Sequence, residues 1–293
     1  MDIRGRDLLK LNDLSSGELS DLIDLSLDLK CENRRRDDLE GKVLAMLFAK
    51  TSTRTRVSFE AAMFQLGGYA INLKWEETNF IKGDIGDESR ALERYCDAIM
   101  ARLFSHADLL KIAASSEKPV INGMDDDHHP CQALADVMTI REAKGSLPGI
   151  RVAWIGDATN VFTSLAQAAE LLGMEVTIAA PEGYGPRVKT CAIEAGTPAE
   201  AAENADVIVT DTWVSLGQEA EKERRLRDFR GYTVDEKLLS LASKDAIVLH
   251  CLPAQRGYEI SPGVLDSPQC LAFDEAENRL HTTKALLLSL IRA

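Results

Sequence analysis

The sequence predicts a two-domain α/β protein, each domain a mainly parallel sheet flanked by helices and the two joined by interdomain helices. Three observations lead there. Short continuous apolar runs such as Val43-Leu44-Ala45-Met46-Leu47-Phe48 match strands buried on both faces. Amphipathic stretches of helical period separate them. At 293 residues the chain exceeds one ordinary core and fits two domains of usual size.

In order, the first half places strands at 43–48, 69–73, 98–103 and 119–122. The second half places them at 151–155, 175–180, 207–210 and 246–252, with a weaker one at 270–273. Helices are expected at 16–29, 57–63, 132–141, 164–172 and 234–241, and a last one at 277–293 buries Leu286, Leu287, Leu288, Leu290 and Ile291. The turn-rich Lys144-Gly145-Ser146-Leu147-Pro148-Gly149 separates the two strand sets. The expected organisation is a first domain at 1–130 joined by the helix 277–293, a linking helix at 131–148 and a second domain at 149–276. The acidic triplet Asp125-Asp126-Asp127 reads as a solvated loop, and the charge-dense 221–230 as an exposed helix or loop.

Composition narrows the function. The net charge of −13 disfavours a broad phosphate-backbone partner, so no nucleic acid is expected and any anion site must be local. Six cysteines occur without a CxxC pair, which indicates neither a disulfide framework nor a zinc ribbon. The polar start Met1-Asp2-Ile3-Arg4-Gly5-Arg6-Asp7 lacks the apolar run of a signal peptide, and no stretch reaches membrane-span length. The expectation is a reduced, cytoplasmic protein with no membrane partner.

Ligands of open parallel sheets sit beyond the carboxyl ends of the strands, so the residues just past each strand matter. Past the first lies Lys50-Thr51-Ser52-Thr53-Arg54-Thr55-Arg56. Hydroxyls and guanidiniums at a helix N-terminus can hold a phosphate, because first-turn N–H groups lack intrahelical partners and the helix dipole favours an anion. Later strand ends carry Arg102 with Ser105 and His106, then His128-His129-Pro130-Cys131-Gln132, then Gly156-Asp157-Ala158-Thr159-Asn160. Asp211-Thr212-Trp213-Val214-Ser215-Leu216-Gly217 and His250-Cys251-Leu252-Pro253 complete the set. Each has an ordinary explanation when taken singly: a helix cap, a salt-bridge arginine, a loop histidine, a turn-capping Asp211 or an inert buried Cys251. Together they are residue-specific at every strand end, which a plain core does not require.

Ser52-Thr53-Arg54-Thr55-Arg56, His129-Pro130-Cys131-Gln132 and His250-Cys251-Leu252-Pro253 resemble, in order and spacing, the aspartate/ornithine carbamoyltransferases. The ornithine branch is the closer match, since His-Cys-Leu-Pro is its signature. Asp211 through Glu219 looks like that branch's amino-acid loop, and Phe273-Asp274-Glu275-Ala276-Glu277-Asn278-Arg279 matches its C-terminal element. The resemblance runs from Gly5 to the final helix.

It implies transfer of the carbamoyl group of carbamoyl phosphate to the δ-amine of L-ornithine, giving L-citrulline and phosphate. Ser52, Thr53, Arg54 and Thr55 would hold the phosphate. Arg102 and His129, with Thr55, would reach the carbamoyl oxygen and stabilise the oxyanion that develops. Gln132 and the Leu252 carbonyl would hold the carbamoyl NH2, and Arg279 would close the site. Asn160, Asp211, Ser215 and Leu216 would hold the α-groups of ornithine, and Cys251 would contact its δ-nitrogen. The catalytic set so implied is Arg102, His129, Cys251 and Arg279, with no metal and no cofactor. A homotrimer or a multiple of one is implied, as is a place in arginine biosynthesis.

The chain departs from the family in two places. Leu216 stands where methionine is usual, conserving apolar bulk. In the loop 75–87, Thr78 occupies the position that commonly reaches a neighbouring subunit's phosphate, and Lys82 is the expected substitute charge. Three alternatives are open to test. Transfer to putrescine would leave Asp211 and Ser215 without α-groups to bind. A nucleotide-dependent oxidoreductase would need a G-x-G-x-x-G turn, which is missing. A non-catalytic relative would have lost Arg54, Arg102, His129 or Cys251, and all are present.

Overall fold

The computed structural model describes residues 3–32, 34–215 and 219–291. The chain divides into two compact units, Met1–Met138 with Glu277–Ala293, and Thr139–Ala276. The first boundary falls inside helix α5 (Pro130–Lys144), and α11 (Ala272–Leu290) carries the chain back.

The first unit is a four-stranded parallel sheet in the order β2-β1-β3-β4. The strands are β1 (Val43–Phe48), β2 (Tyr69–Lys74), β3 (Ala98–Arg102) and β4 (Val120–Met124). Helices α1 (Ser16–Glu32), α2 (Arg54–Gln65), α3 (Ile85–Leu92) and α4 (His106–Ser115) accompany it. The apolar runs that mark β1 and β3 are buried almost throughout, as expected of central parallel strands. Ala45, Leu47, Ile99, Ala101, Leu109 and Ile112 pack into one cluster between sheet and helices. The edge of β4 does not stay bare. Leu8 lies beside Ile121, donating its N–H to Val120 and accepting one from Asn122, which satisfies the open ladder.

The second unit is a five-stranded parallel sheet in the order β7-β6-β5-β8-β9. Its strands are β5 (Arg151–Ile155), β6 (Glu175–Ala179), β7 (Ile193–Glu194), β8 (Val207–Thr210) and β9 (Ile247–His250). Its helices are α6 (Asn160–Leu172), α7 (Pro198–Ala202), α8 (Lys222–Asp228), α9 (Glu236–Leu239) and α10 (Pro262–Leu265). The chain leaves α6 through Gly173, whose φ of 70° is the left-handed cap that glycine takes without strain.

Three expectations need correction. Residues 270–273 are not a strand: Cys270 makes one isolated bridge to Val248, and α11 starts at Ala272. Asp274 and Glu275 in that first turn favour the helix N-terminus, a signal that outweighs the short apolar run. The acidic triplet is not a solvated loop throughout, because Asp125 is fully buried. The segment 221–230 is not simply exposed either. Arg225 is buried, its guanidinium pairing with Asp157, donating to the Trp213 carbonyl, and lying 4.8 Å from the Tyr184 ring centroid. One cation satisfied on several sides explains how a charge-rich helix turns inward. The two-residue β7, with Ile193 exposed, carries no hydrophobic signal from which it could be read.

In each sheet the strand order reverses once. The reversal lies between β1 and β3 in the first unit and between β5 and β8 in the second. A crevice opens at the carboxyl ends of the strands at such a switch point, and ligands of open sheets bind there.

Candidate active site

In the first unit the switch point is lined by the segments that succeed β1 and β3. Helix α2 begins at Arg54, and its N-cap Thr53 makes no side-chain cap bond. The Thr53 side chain thus does not cap this helix N-terminus, the end where the helix dipole favours an anion. Ser52 is half-buried, Thr53 exposed, Arg54 half-buried and Thr55 buried. Arg279, from α11, donates to the Thr55 hydroxyl at 3.0 Å and to Gln132 Oε1 at 2.7 Å. Gln132 donates its Nε2 to Asp136 at 2.8 Å, one helical turn along α5. These two bonds fix which end of the amide is the oxygen. Arg102, buried at the end of β3, reaches the Gly123 carbonyl at 3.4 Å.

His129 sits among these groups. Burial pushes its pKa well below the ordinary 6.5, and the charges of Arg279, Arg102, Arg54 and Lys50 push the same way. The imidazole is thus neutral at neutral pH and offers one N–H rather than a charge. Lys50, buried against the Phe104 ring at 4.5 Å and paired with Asp126, belongs to this positive environment. Sequence reasoning gave neither Lys50 nor Asp136 a role. The i, i+4 spacing of Gln132 and Asp136 on a helix was the available signal. Cys131 is buried and its thiol is pushed up to about 11 by that burial, consistent with packing rather than ligation. Among the described residues no group of three or more His, Cys, Asp or Glu is arranged to hold a metal ion.

In the second unit the residues after β5, β8 and β9 converge on one carboxylate. Asp211 accepts from the Thr159 hydroxyl at 3.0 Å, the Cys251 thiol at 3.1 Å and the Thr212 N–H at 2.7 Å. Asn160 opens α6 next to Thr159 and is half-buried, as is Ser215. Leu216 lies outside the described residues. After β9 the chain turns at Leu252, a non-glycine residue at φ 55°. His250 supports that turn. Its Nδ1 accepts the Leu252 N–H at 2.8 Å and its Nε2 meets Glu259 at 3.1 Å. Since Nδ1 accepts, Nε2 carries the proton and donates to the carboxylate.

The loop 75–87 forms two short 3-10 turns, Trp75–Glu77 and Asn79–Ile81. The Thr78 hydroxyl donates back to the Trp75 carbonyl at 2.7 Å, and Lys82 is exposed.

The histidines predict an acid limit on stability. His129, His128 and His281 all have pKa values lowered by burial as the first cause. In the unfolded chain each protonates near pH 6.5. Between that value and the lower folded pKa the unfolded state binds more protons, so stability falls as pH drops below about 6.5. Urea unfolding at pH 7.5 and 5.5 should show the lower midpoint at 5.5, and His129→Gln should flatten the dependence. Equal midpoints in the unsubstituted protein would refute the linkage.

Two family models match the chain. The carbamoyl-P binding domain of aspartate/ornithine carbamoyltransferase matches residues 6–142, and the Asp/Orn binding domain matches residues 148–290. An ornithine carbamoyltransferase of Carboxydothermus hydrogenoformans is 46% identical over 305 residues, covering 98% of both chains. The solved structure of the Pyrococcus furiosus ornithine carbamoyltransferase matches with a TM-score of 0.95 at 43% identity, over 99% of this chain and 98% of that one. The Thermus thermophilus enzyme matches with a TM-score of 0.92 at 42% identity, over 98% of this chain and 99% of that one. With both domains matched and such likeness along nearly the whole chain, this protein belongs to the aspartate/ornithine carbamoyltransferase family.

Proposed function

We propose that this protein transfers the carbamoyl group of carbamoyl phosphate to the δ-amine of L-ornithine, releasing L-citrulline and phosphate. The observation that carries the acceptor half is the convergence of Cys251, Thr159 and the Thr212 N–H on the Asp211 carboxylate. A largely buried carboxylate next to a thiol suits a primary ammonium. Asp211 and Cys251 lie 3.1 Å apart, which favours both serving one amine, the δ-nitrogen, rather than opposite ends of the acceptor. Asn160, Ser215 and Leu216 are then assigned the α-amino and α-carboxylate groups.

The donor half rests on the first unit. The N-terminus of α2, which the Thr53 side chain does not cap, suits a phosphate together with Ser52, Thr53, Arg54 and Thr55. Arg102, neutral His129 and Thr55 are assigned the carbamoyl oxygen. Gln132 Oε1 and the Leu252 carbonyl are assigned the carbamoyl NH2, and Arg279 orders Thr55 and Gln132. The δ-ammonium loses a proton to solvent, and the free amine attacks the carbonyl carbon to form a tetrahedral oxyanion. The C–O bond to phosphate then breaks, and the phosphate leaves with the second amine proton. Donors aimed at that oxyanion supply the larger share of the acceleration, and holding the reactants in line supplies much of the rest.

The catalytic assignment is Arg102, His129, Cys251 and Arg279. Putrescine is not favoured as acceptor, since the relatives of high coverage carry the ornithine name. A homotrimer, or a multiple of one, is supported by an apolar surface on the first unit. Edge strand β2 exposes Tyr69 and α2 exposes Val57 and Phe64. Lys82 is assigned to the phosphate of a neighbouring subunit. No helix of the described residues is long and apolar enough to cross a membrane, and a cytoplasmic role in arginine biosynthesis is the setting we assign.

Citrulline-type product formation from carbamoyl phosphate, run in parallel with ornithine, putrescine, lysine and aspartate, tests the reading. Turnover with ornithine well above the others is expected. Turnover with putrescine but not ornithine would reverse the acceptor assignment, and silence with all four would remove the enzymatic one.

A further inference from the structure

The loop between β4 and α5 closes on Asp125. Its carboxylate is fully buried and accepts from His106 Nδ1 at 2.7 Å, Asn122 Nδ2 at 2.8 Å, the Asp127 N–H at 2.8 Å and the His128 N–H at 2.7 Å. Its own N–H donates to the His128 carbonyl at 3.0 Å, so residues 125–128 form a ring pinned by one side chain. The Asn122 carbonyl accepts from the Cys131 thiol at 3.4 Å. His129 therefore lies between two residues, His128 and Cys131, each tied to the Asn122–Asp125 pair. The neighbouring Gly123 carbonyl is where Arg102 rests.

We propose that Asp125 is a positioning residue for Arg102 and His129, the two groups assigned to the carbamoyl oxygen, and that His106 holds its carboxylate in place. The proposal rests on the function proposed above. Asp125 itself is assigned no contact with substrate. It acts by fixing the backbone from which His129 projects and the carbonyl against which Arg102 lies. An ionised carboxylate has acceptor capacity for all four donors, whereas an amide in its place turns one oxygen into an NH2 that faces donors. At least one side of the ring must then open. His106, at the start of α4, is less buried than Asp125 and gives a milder way to perturb the same link.

The test compares Asp125→Asn, His106→Leu and His106→Asn with the exposed control Asp127→Asn. Asp125→Asn should lower kcat by about 10²-fold, the usual cost of misplacing a reacting group by an ångström. The KM for ornithine and the calorimetric Kd for inorganic phosphate, which report other contacts, should stay unchanged. His106→Leu should lower kcat less, and His106→Asn, which can still donate to Asp125, should restore most of it. The imidazole ¹⁵N signals of His129, assigned with His129→Gln, should shift in Asp125→Asn and His106→Leu but not in Asp127→Asn. Wild-type kcat or an unshifted His129 signal in Asp125→Asn would overturn the proposal, as would a parallel loss of phosphate affinity. An inactive parent protein would instead count against the proposed function, while the ring signals would still decide the positioning role.

Discussion

Arg102→Met should lower kcat by about 10²–10³-fold, the usual cost of removing one donor aimed at a developing oxyanion. Met keeps the buried apolar stem but removes the guanidinium, so packing at the end of β3 should change little. The same removal has a second consequence. The Arg102 charge is one of those holding the His129 pKa down, behind burial and Arg279. Without it the His129 pKa moves back toward 6.5, and the acid limb of the kcat–pH profile should shift to higher pH. The two readouts are independent, which protects the result from a trivial loss of folding. Steady-state kinetics across pH 5 to 9, with urea unfolding as control, would check both. A kcat reduced by less than about tenfold would place Arg102 outside the oxyanion site.

Asp211→Asn should strike the acceptor instead. The carboxylate collects the Thr159 hydroxyl, the Cys251 thiol and the Thr212 N–H, and it is the negative charge among the groups assigned to the acceptor. Removing one partner of a largely buried charged pair costs about 2–5 kcal/mol. At 1.4 kcal/mol per tenfold that is roughly a 30- to 4,000-fold loss in kcat/KM for ornithine. The Kd for inorganic phosphate should not move, because that anion is assigned to α2 in the other unit. An unchanged kcat/KM would show that the ammonium is bound elsewhere.

Both predictions concern residues whose place at a strand end was legible in the chain itself. The continuous apolar runs at 43–48 and 207–210 are strands because no helix of that length would bury every face, and their order along the chain implies parallel sheets. The clustering of hydroxyl and guanidinium groups at 52–56 was legible for the same local reason: first-turn N–H groups need a partner, and that sequence places hydroxyls and guanidiniums there instead of an ordinary cap. Short-range signals failed where a distant residue decided the outcome. Residues 270–273 have strand-like composition, yet the chain makes one bridge at Cys270 and enters α11. Asp125 belongs to an acidic triplet that looks solvated, yet four donors from three segments bury it. Arg225 sits in a charge-dense run, yet Asp157, more than sixty positions earlier in the chain, draws it inward.

By itself the sequence determined the α/β class, most strand positions, and which residue types stand at each strand's carboxyl end. Those depend on local periodicity and on chemistry within a few residues. The tertiary structure alone decided the strand orders, and with them that β1 meets β3 and β5 meets β8 at the two switch points. It decided that the His129 pKa is pushed well down, because that depends on burial and on four cations from three separate segments. It also decided that Asp211 and Cys251, forty residues apart in the chain, share one hydrogen bond. Such facts are energies of desolvation and of charge at a distance, and those are set by what the fold brings close rather than by what the chain places next.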